Sequence, residues 1–287
     1  GGRAESKLKV RTDVGDLTLD GTFDGRNVRA ALALRNGRPA LLMRQKALPE
    51  RVGLTSDVRL RLDGKKLADA AVTAKVVQLV WNGYAFQPIG LKGRWSGETA
   101  EVKVTSADPN VNLSLDGAVR LTGKRVDGLR VTAHVGYLHP VVLGLRSALA
   151  ERVFQGDLQA DVKHVGSPQM QGEVALNDFA MKGGDLGDYE LEHLLLTLMP
   201  HADGSELRLK SDFADAAVTG DMSAANLMEG VKTVADRALP GLMAPPAHRV
   251  GRKWTADLTL RKTDVFRHFV GADVQLQSPL RLRGVLD

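Results

Sequence analysis

The sequence predicts a mainly β protein: a long, curled, meandering antiparallel sheet that forms a taco-like apolar groove, with two or three short helices. Three observations predict it. Apolar residues recur with a period of two along most of the chain, the pattern of a strand with one apolar and one wet face. Turn-forming dipeptides punctuate the alternating stretches. Glycine is abundant, at 30 of 287 residues, while aromatic residues make up only 5%, so the apolar content is mostly Leu, Val and Ala.

The elements follow in chain order. Leu8-Lys9-Val10 already alternates. Val28, Ala30, Leu32 and Leu34 alternate with Arg29, Ala31, Ala33 and Arg35, and Val58, Leu60 and Leu62 with Arg59, Arg61 and Asp63. Val111, Leu113 and Leu115 alternate with Asn112, Ser114 and Asp116. Leu129, Val131, Ala133 and Val135 alternate with Arg130, Thr132, His134 and Gly136. The pattern returns at Leu207 and Leu209, at Ala256, Leu258 and Leu260, and at Leu280 and Leu282. Turns are expected at Asp20-Gly21, Asp24-Gly25, Asn36-Gly37, Asp63-Gly64, Asn82-Gly83, Asp116-Gly117, Asp127-Gly128 and Asp203-Gly204.

A loose motif, Leu-x-Leu-x-Gly, appears at 17–21, 60–64, 113–117 and 280–284. Its irregular spacing excludes a fixed-length solenoid and fits one meander. Three helices are expected. His139-Pro140 opens one that runs to about Val153, with Pro at its first position. Ser223 caps a second that ends at Leu239, before Pro240-Gly241. Asp264 opens a short third, Val265 to Val270. The chain reads as a single β-rich segment over 1–287, with 140–153 as the place for an internal break.

Composition excludes several classes. With no cysteine there are no disulfides, thiolate metal sites or Cys nucleophiles. No apolar run approaches the length of a membrane-spanning helix. The sequence opens on Gly1-Gly2-Arg3 without an initiator Met or signal peptide, and reads as a piece of something longer. The net charge of +5 is mild and spread along the chain. Single-strand nucleic-acid binding calls for aromatic platforms between basic residues. Trp81, Tyr84 and Phe86 form the one aromatic cluster, with Lys75 and Lys92 merely flanking it, and it reads as packing.

Phosphate-loop, dinucleotide, zinc-protease and nucleophile-elbow motifs are absent. The seven histidines include no i,i+4 pair on a helix, so they read as solvated and no metal or cofactor is expected. Asp161, His164 and Asp257 resemble acid/base partners only superficially, because outward positions on alternating strands are ordinarily charged. The expectation is a protein that is not an enzyme.

Strand after strand is apolar on one face, with too few helices to cover it. A sandwich, a barrel and a curled trough are the three solutions, and the low aromatic count favours the trough. Its candidate lining is Val28, Leu32, Leu34, Val58, Leu60, Leu62, Leu113, Leu115, Leu129, Val131, Leu207, Leu209, Val218, Leu258, Leu260, Leu280 and Leu282. Such a surface suits acyl chains, which gain about 0.8 kcal/mol per buried methylene.

The segment Leu207-Arg208-Leu209-Lys210-Ser211-Asp212-Phe213-Ala214-Asp215-Ala216-Ala217-Val218-Thr219-Gly220-Asp221-Met222 resembles a recurrent strand pair of the TamB family, translocation and assembly module proteins of the AsmA-like group. In that family the pair leads into a helix, as Ser223 to Leu239 is expected to do here. The alternation at Val28 to Leu34, and Asp264-Val265-Phe266 followed by Leu280-Arg281-Leu282-Arg283-Gly284, are similar to the same proteins. The resemblance implies a periplasmic β-taco whose groove carries phospholipid toward the outer membrane. It also implies an inner-membrane anchoring helix outside this chain and an Omp85-type barrel as partner. The chain departs from the family in lacking its extreme C-terminal portion, which puts docking to the barrel in question.

Two further readings stand beside the conduit. One is a chaperone-like module that offers strand edges to outer-membrane proteins by β-augmentation. The other, a secreted adhesin or polysaccharide enzyme, calls for outward aromatics, of which the sequence has few.

Overall fold

A computed structural model describes residues 3–43, 48–64, 66–123, 125–145, 149–185, 187–202, 204–220, 254–270 and 274–286. Strand takes up 72% of them, and α-helix is confined to two short segments. The chain divides into two compact units. The first comprises Gly1–Lys124 and Thr132–Phe154, the second Arg125–Val131 and Gln155–Asp287.

The first unit contains β1 (Ala4–Thr12), β2 (Gly15–Phe23), β3 (Asn27–Gly37), β4 (Arg51–Asp63), β5 (Lys66–Trp81), β6 (Tyr84–Phe86), β7 (Ile89–Ser96), β8 (Thr99–Asp108) and β9 (Val111–Thr122). Strands β1 to β5 pair antiparallel in succession, as do β7, β8 and β9. The 16-residue β5 serves two partners, β7 along Asp69–Val76 and β6 along Leu79–Trp81. Between them Val77 is an extra residue against β4, where Gly53 faces Gln78 and Leu54 faces Val76. Such a bulge resets the alternation of side chains. The expected Asn82-Gly83 turn forms with both residues at positive φ, 52° and 76°, the two-residue hairpin geometry that matches strand twist. β10 (Arg125–Leu138) belongs to the second unit over 125–131 and to the first over 132–138.

The second unit contains β11 (Val153–Lys163), β12 (Gln171–Lys182), β13 (Tyr189–His201), β14 (Gly204–Ser211), β15 (Ala214–Gly220), β16 (Trp254–Leu260) and β17 (Leu280–Leu286). β12 to β17 pair antiparallel in succession. Each unit is thus an open antiparallel sheet, the meander the alternation predicts.

Several expectations are corrected. The helix expected over 140–153 is a single 3-10 turn, Pro140–Leu143. It stops because Gly144 adopts φ 76° and caps it, its N–H donating to the Val141 carbonyl. Val153 already begins β11. Gly21, Gly117 and Gly128 lie inside β2, β9 and β10 rather than in turns. Asn36 turns positive, at φ 51°, but inside β3, where the register against β4 shifts.

A five-residue helix not foreseen in the sequence, α1 (Pro39–Met43), follows β3. The helix expected from Asp264 is present as α2 (Asp264–Val270). The one expected over Ser223–Leu239 lies outside the described residues.

Among the described residues, buried apolar side chains are few and gather near strand ends. In the first unit they include Phe86, Val111 and Ala150, in the second Ala180, Met181, Tyr189, Leu191, Ala214 and Leu260.

Candidate functional site

Cross-strand register lines the apolar positions into rows. In the first unit one row runs Leu8, Leu19, Leu32, Ser56, Ala74, Leu91, Val104, Leu115 across eight strands. Beside it runs Val10, Leu17, Leu34, Leu54, Val76, Ile89, Ser106, Leu113. Val28, Leu60, Ala70 and Trp95 form part of another row on the same face. The opposite face carries Lys7, Asp20, Ala31, Asp57, Thr73, Lys92, Lys103 and Asp116 in one row. Residues two apart on a strand share a face, so the sheet is apolar on one side and polar on the other.

The second unit repeats the arrangement. Val174, Leu196, Leu209, Ala216, Leu258 and Leu282 form one row, and Leu198, Leu207, Val218 and Ala256 the next. Behind them lie Glu173, Thr197, Arg208, Ala217, Asp257 and Arg283.

Burial shows how these faces are covered. Of the seventeen candidate lining residues, fifteen are half-buried, Leu129 is exposed and Leu260 is buried. Half-burial is what cross-strand neighbours alone supply: side chains in one row shield each other's flanks and leave the tops open. Val102 shows the effect from the other direction. Its partners in register are Gly93 and Gly117, and with no side chains beside it Val102 is 45% exposed.

Three of the four Leu-x-Leu-x-Gly motifs now read differently. Gly21, Gly117 and Gly284, each fifth in its motif, lie within a strand on the face of the two leucines. They lower the apolar floor instead of turning the chain. A Cβ on Gly284 would meet nothing within 4 Å, and one on Gly117 would lie 3.2 Å from Val102 Cγ1.

The Ser211–Ala214 corner and its neighbours account for Ser211, Asp212 and Asp215. Ser211 Oγ accepts from the Ala214 N–H at 3.0 Å and donates to its carbonyl at 2.9 Å. The Asp212 carboxylate accepts from the Glu192 N–H at 2.7 Å. Asp215 is paired with Arg261 at 2.7 Å, and the guanidinium holds its carboxyl below the ordinary carboxylate value.

The suspected acid/base residues are ion-paired along the polar positions. Asp161 pairs with Arg130 and Asp257 with Arg283, each at 3.0 Å, and His164 Nδ1 lies 3.4 Å from Asp127. Among the described residues no three His, Asp or Glu side chains are placed to hold a metal ion, and no helix is long and apolar enough to cross a membrane. The aromatic cluster is built by packing: Phe86 is buried and meets Tyr84 edge-on with centroids 4.7 Å apart.

No family model, no curated protein and no solved structure matches this chain.

Several row members were not singled out in the sequence. Leu54 and Val76 lie beside the Val77 bulge, which breaks the period. Leu194-Leu195-Leu196 reads as a continuous run, so only the register shows that Leu194 and Leu196 share a face that Leu195 does not.

Proposed function

We propose that the apolar sheet faces are a path for the acyl chains of phospholipid, and that the chain is a lipid-transfer module of the periplasm. The observation that carries the reading is the half-burial of the apolar rows. A face meant as a sealed core would bury its leucines, whereas here the strand middles stay open while burial concentrates at strand ends. Contiguous exposed apolar surface marks a ligand or partner site. An acyl chain laid along it gains about 0.8 kcal/mol for each methylene removed from water. The strand pair at Leu207–Gly220, which resembles the TamB family, supports the same reading.

The test uses Leu60→Asp, Leu258→Asp and Leu282→Asp with a photoreactive residue beside each. The expected outcome is three folded variants, by far-UV circular dichroism, that lose phospholipid crosslinking. Unfolding of all three would make the face a sealed core, and crosslinking at the wild-type level would place these leucines off the path.

A second reading, assistance to outer-membrane protein assembly by strand augmentation with an Omp85-type partner, draws on β1, which is exposed along all nine residues. Four of the nine are charged (Glu5, Lys7, Lys9 and Arg11), a composition that protects a strand against pairing, so the lipid reading is preferred.

A further inference from the structure

The polar face of the first unit holds a depression of about 620 Å³ where β5, β7 and β8 meet. Its floor is Gly90, which faces Lys75 on one side and Thr105 on the other. A side chain there would fill the depression, since a Cβ on Gly90 would come within 2.7 Å of Thr105 Oγ1. Lys75, Lys92, Lys103, Thr105, Ser114 and His134 line it, and none of its lining residues is a carboxylate.

The lysines are placed against the ordinary rules of sheet stability. Lys92 and Lys103 face each other directly in register, and like charges in that relation repel. Lys103 has the Asp116 carboxylate at 3.0 Å on its far side. Lys75 and Lys92 have no carboxylate partner among the described residues. Three ammonium groups on three consecutive strands therefore point from one face around a small floor, flanked by hydroxyls. One wall is fixed from behind: the Gln87 N–H, beside the lining residue Pro88, is held by the buried Asp108 carboxylate at 2.7 Å.

We propose that this depression binds a phosphate-type oxyanion. A phosphate presents several oxygens around one centre, and lysines arranged on different strands can each reach a separate one, acting as point charges. A carboxylate brings a single negative charge to these lysines, whereas a phosphate monoester brings about −1.5 to −2 near neutral pH. Bound phosphate relieves the Lys92–Lys103 repulsion that the empty sheet carries. The site lies on the face opposite the apolar rows, so it does not depend on the proposed acyl path. The phosphate can come from a soluble phosphorylated molecule or from a lipid headgroup, and the experiment distinguishes them.

Titration calorimetry at low ionic strength with inorganic phosphate and with pyrophosphate forms the first arm. Sedimentation with phosphatidylcholine vesicles, with and without phosphatidic acid, forms the second. Lys75→Glu and Lys92→Glu, each checked for folding by circular dichroism, are expected to weaken binding about tenfold or more. Lys92→Arg should retain it. Lys7→Glu, an equal change of charge on the same face outside the depression, should leave it within about twofold. Soluble phosphate or pyrophosphate binding with this pattern assigns a soluble source. Binding confined to phosphatidic acid vesicles, with the same pattern, assigns a headgroup. Absence of binding in both arms, or equal loss in Lys7→Glu, overturns the site, and neither result bears on lipid crosslinking at the apolar face.

Discussion

The hydroxyl of Tyr84 donates a 2.8 Å hydrogen bond to the carboxylate of Asp108, a side chain with no exposed surface. Asp108 also accepts from the N–H groups of Gln87 and Asn110, at 2.7 and 2.8 Å, and the Asn110 amide donates to Tyr84 Oη at 2.9 Å. The network ties the three-residue β6 to the β8–β9 turn. Removing the carboxylate strands three part-buried donors at once, each worth about 1 kcal/mol or more. Asp108→Ala should therefore lower stability by about 3 kcal/mol or more, and Tyr84→Phe by about 1 kcal/mol, read as shifts of the urea midpoint. Equal effects would mean that Tyr84 is the only partner that matters.

The 3-10 turn at Pro140–Leu143 rests on a close approach. Gly144 caps it at φ 76°, and a Cβ there would overlap the Asn82 side-chain amide of the β5–β6 turn. Gly144→Ala should cost about 1–2 kcal/mol from backbone strain and crowding together. Adding Asn82→Gly, which removes the side chain and tolerates the φ of 52° at that position, should restore only the crowding part, because the positive φ at residue 144 remains. Full restoration in the double mutant would show that the backbone conformation carries no cost.

How much of this was legible in the sequence follows from range. Alternation at Val28–Leu34, at Val58–Leu62 and at Leu280–Leu282 is local, and each became a strand with those residues on the apolar side. Asp264 announced α2 in the same way. Glycine misleads where its role depends on a neighbouring strand. Asp116-Gly117 has turn composition, yet Gly117 sits mid-strand opposite Val102. The 140–153 stretch had helical spacing at Val142, Leu145 and Leu149, but a left-handed Gly144 ended it after one turn. The basic depression could not be read at all: Lys75, Lys92 and Lys103 are far apart in sequence, and only the register of β5, β7 and β8 brings them together.

Tyr189 gives the second unit a signature at high pH. It is buried against Phe179, His268 and Phe269, with ring centroids 6.4, 5.2 and 5.5 Å away. Burial, aided by the charges of Asp212 and Asp264, pushes the phenol from 10.0 up to about 12. The fold thus favours the protonated form. Its contribution is complete below pH 10 and is lost as pH rises from about 10 to about 12, because the unfolded chain ionises first. Unfolding midpoints measured across that window should fall more steeply for the native protein than for Tyr189→Phe. Parallel curves would mean that Tyr189 ionises as freely in the folded state as in the unfolded one.

Leu258 and Leu260 lie two residues apart on β16, on the same face, yet Leu258 is half-buried and Leu260 is 2% exposed. Leu258 faces Ala216 and Leu282 across its neighbours, while Leu260 faces Ala214, itself buried, and Leu280. The open row thus adjoins the buried Leu260–Ala214 pair within a single strand. An aspartate at 260 would lose its hydration without gaining a partner and should cost several kcal/mol, on the order of 3–5. At 258 the carboxylate can turn toward water, and the cost should be about 1 kcal/mol, mainly the lost apolar contact. Strand, face and chemical change are the same in the two variants, so the difference in their urea midpoints isolates burial. A gap of about 2 kcal/mol or more is expected. Equal destabilisation would mean that the row through Leu258 is sealed like its neighbour, and the surface needed for an acyl chain would not exist there.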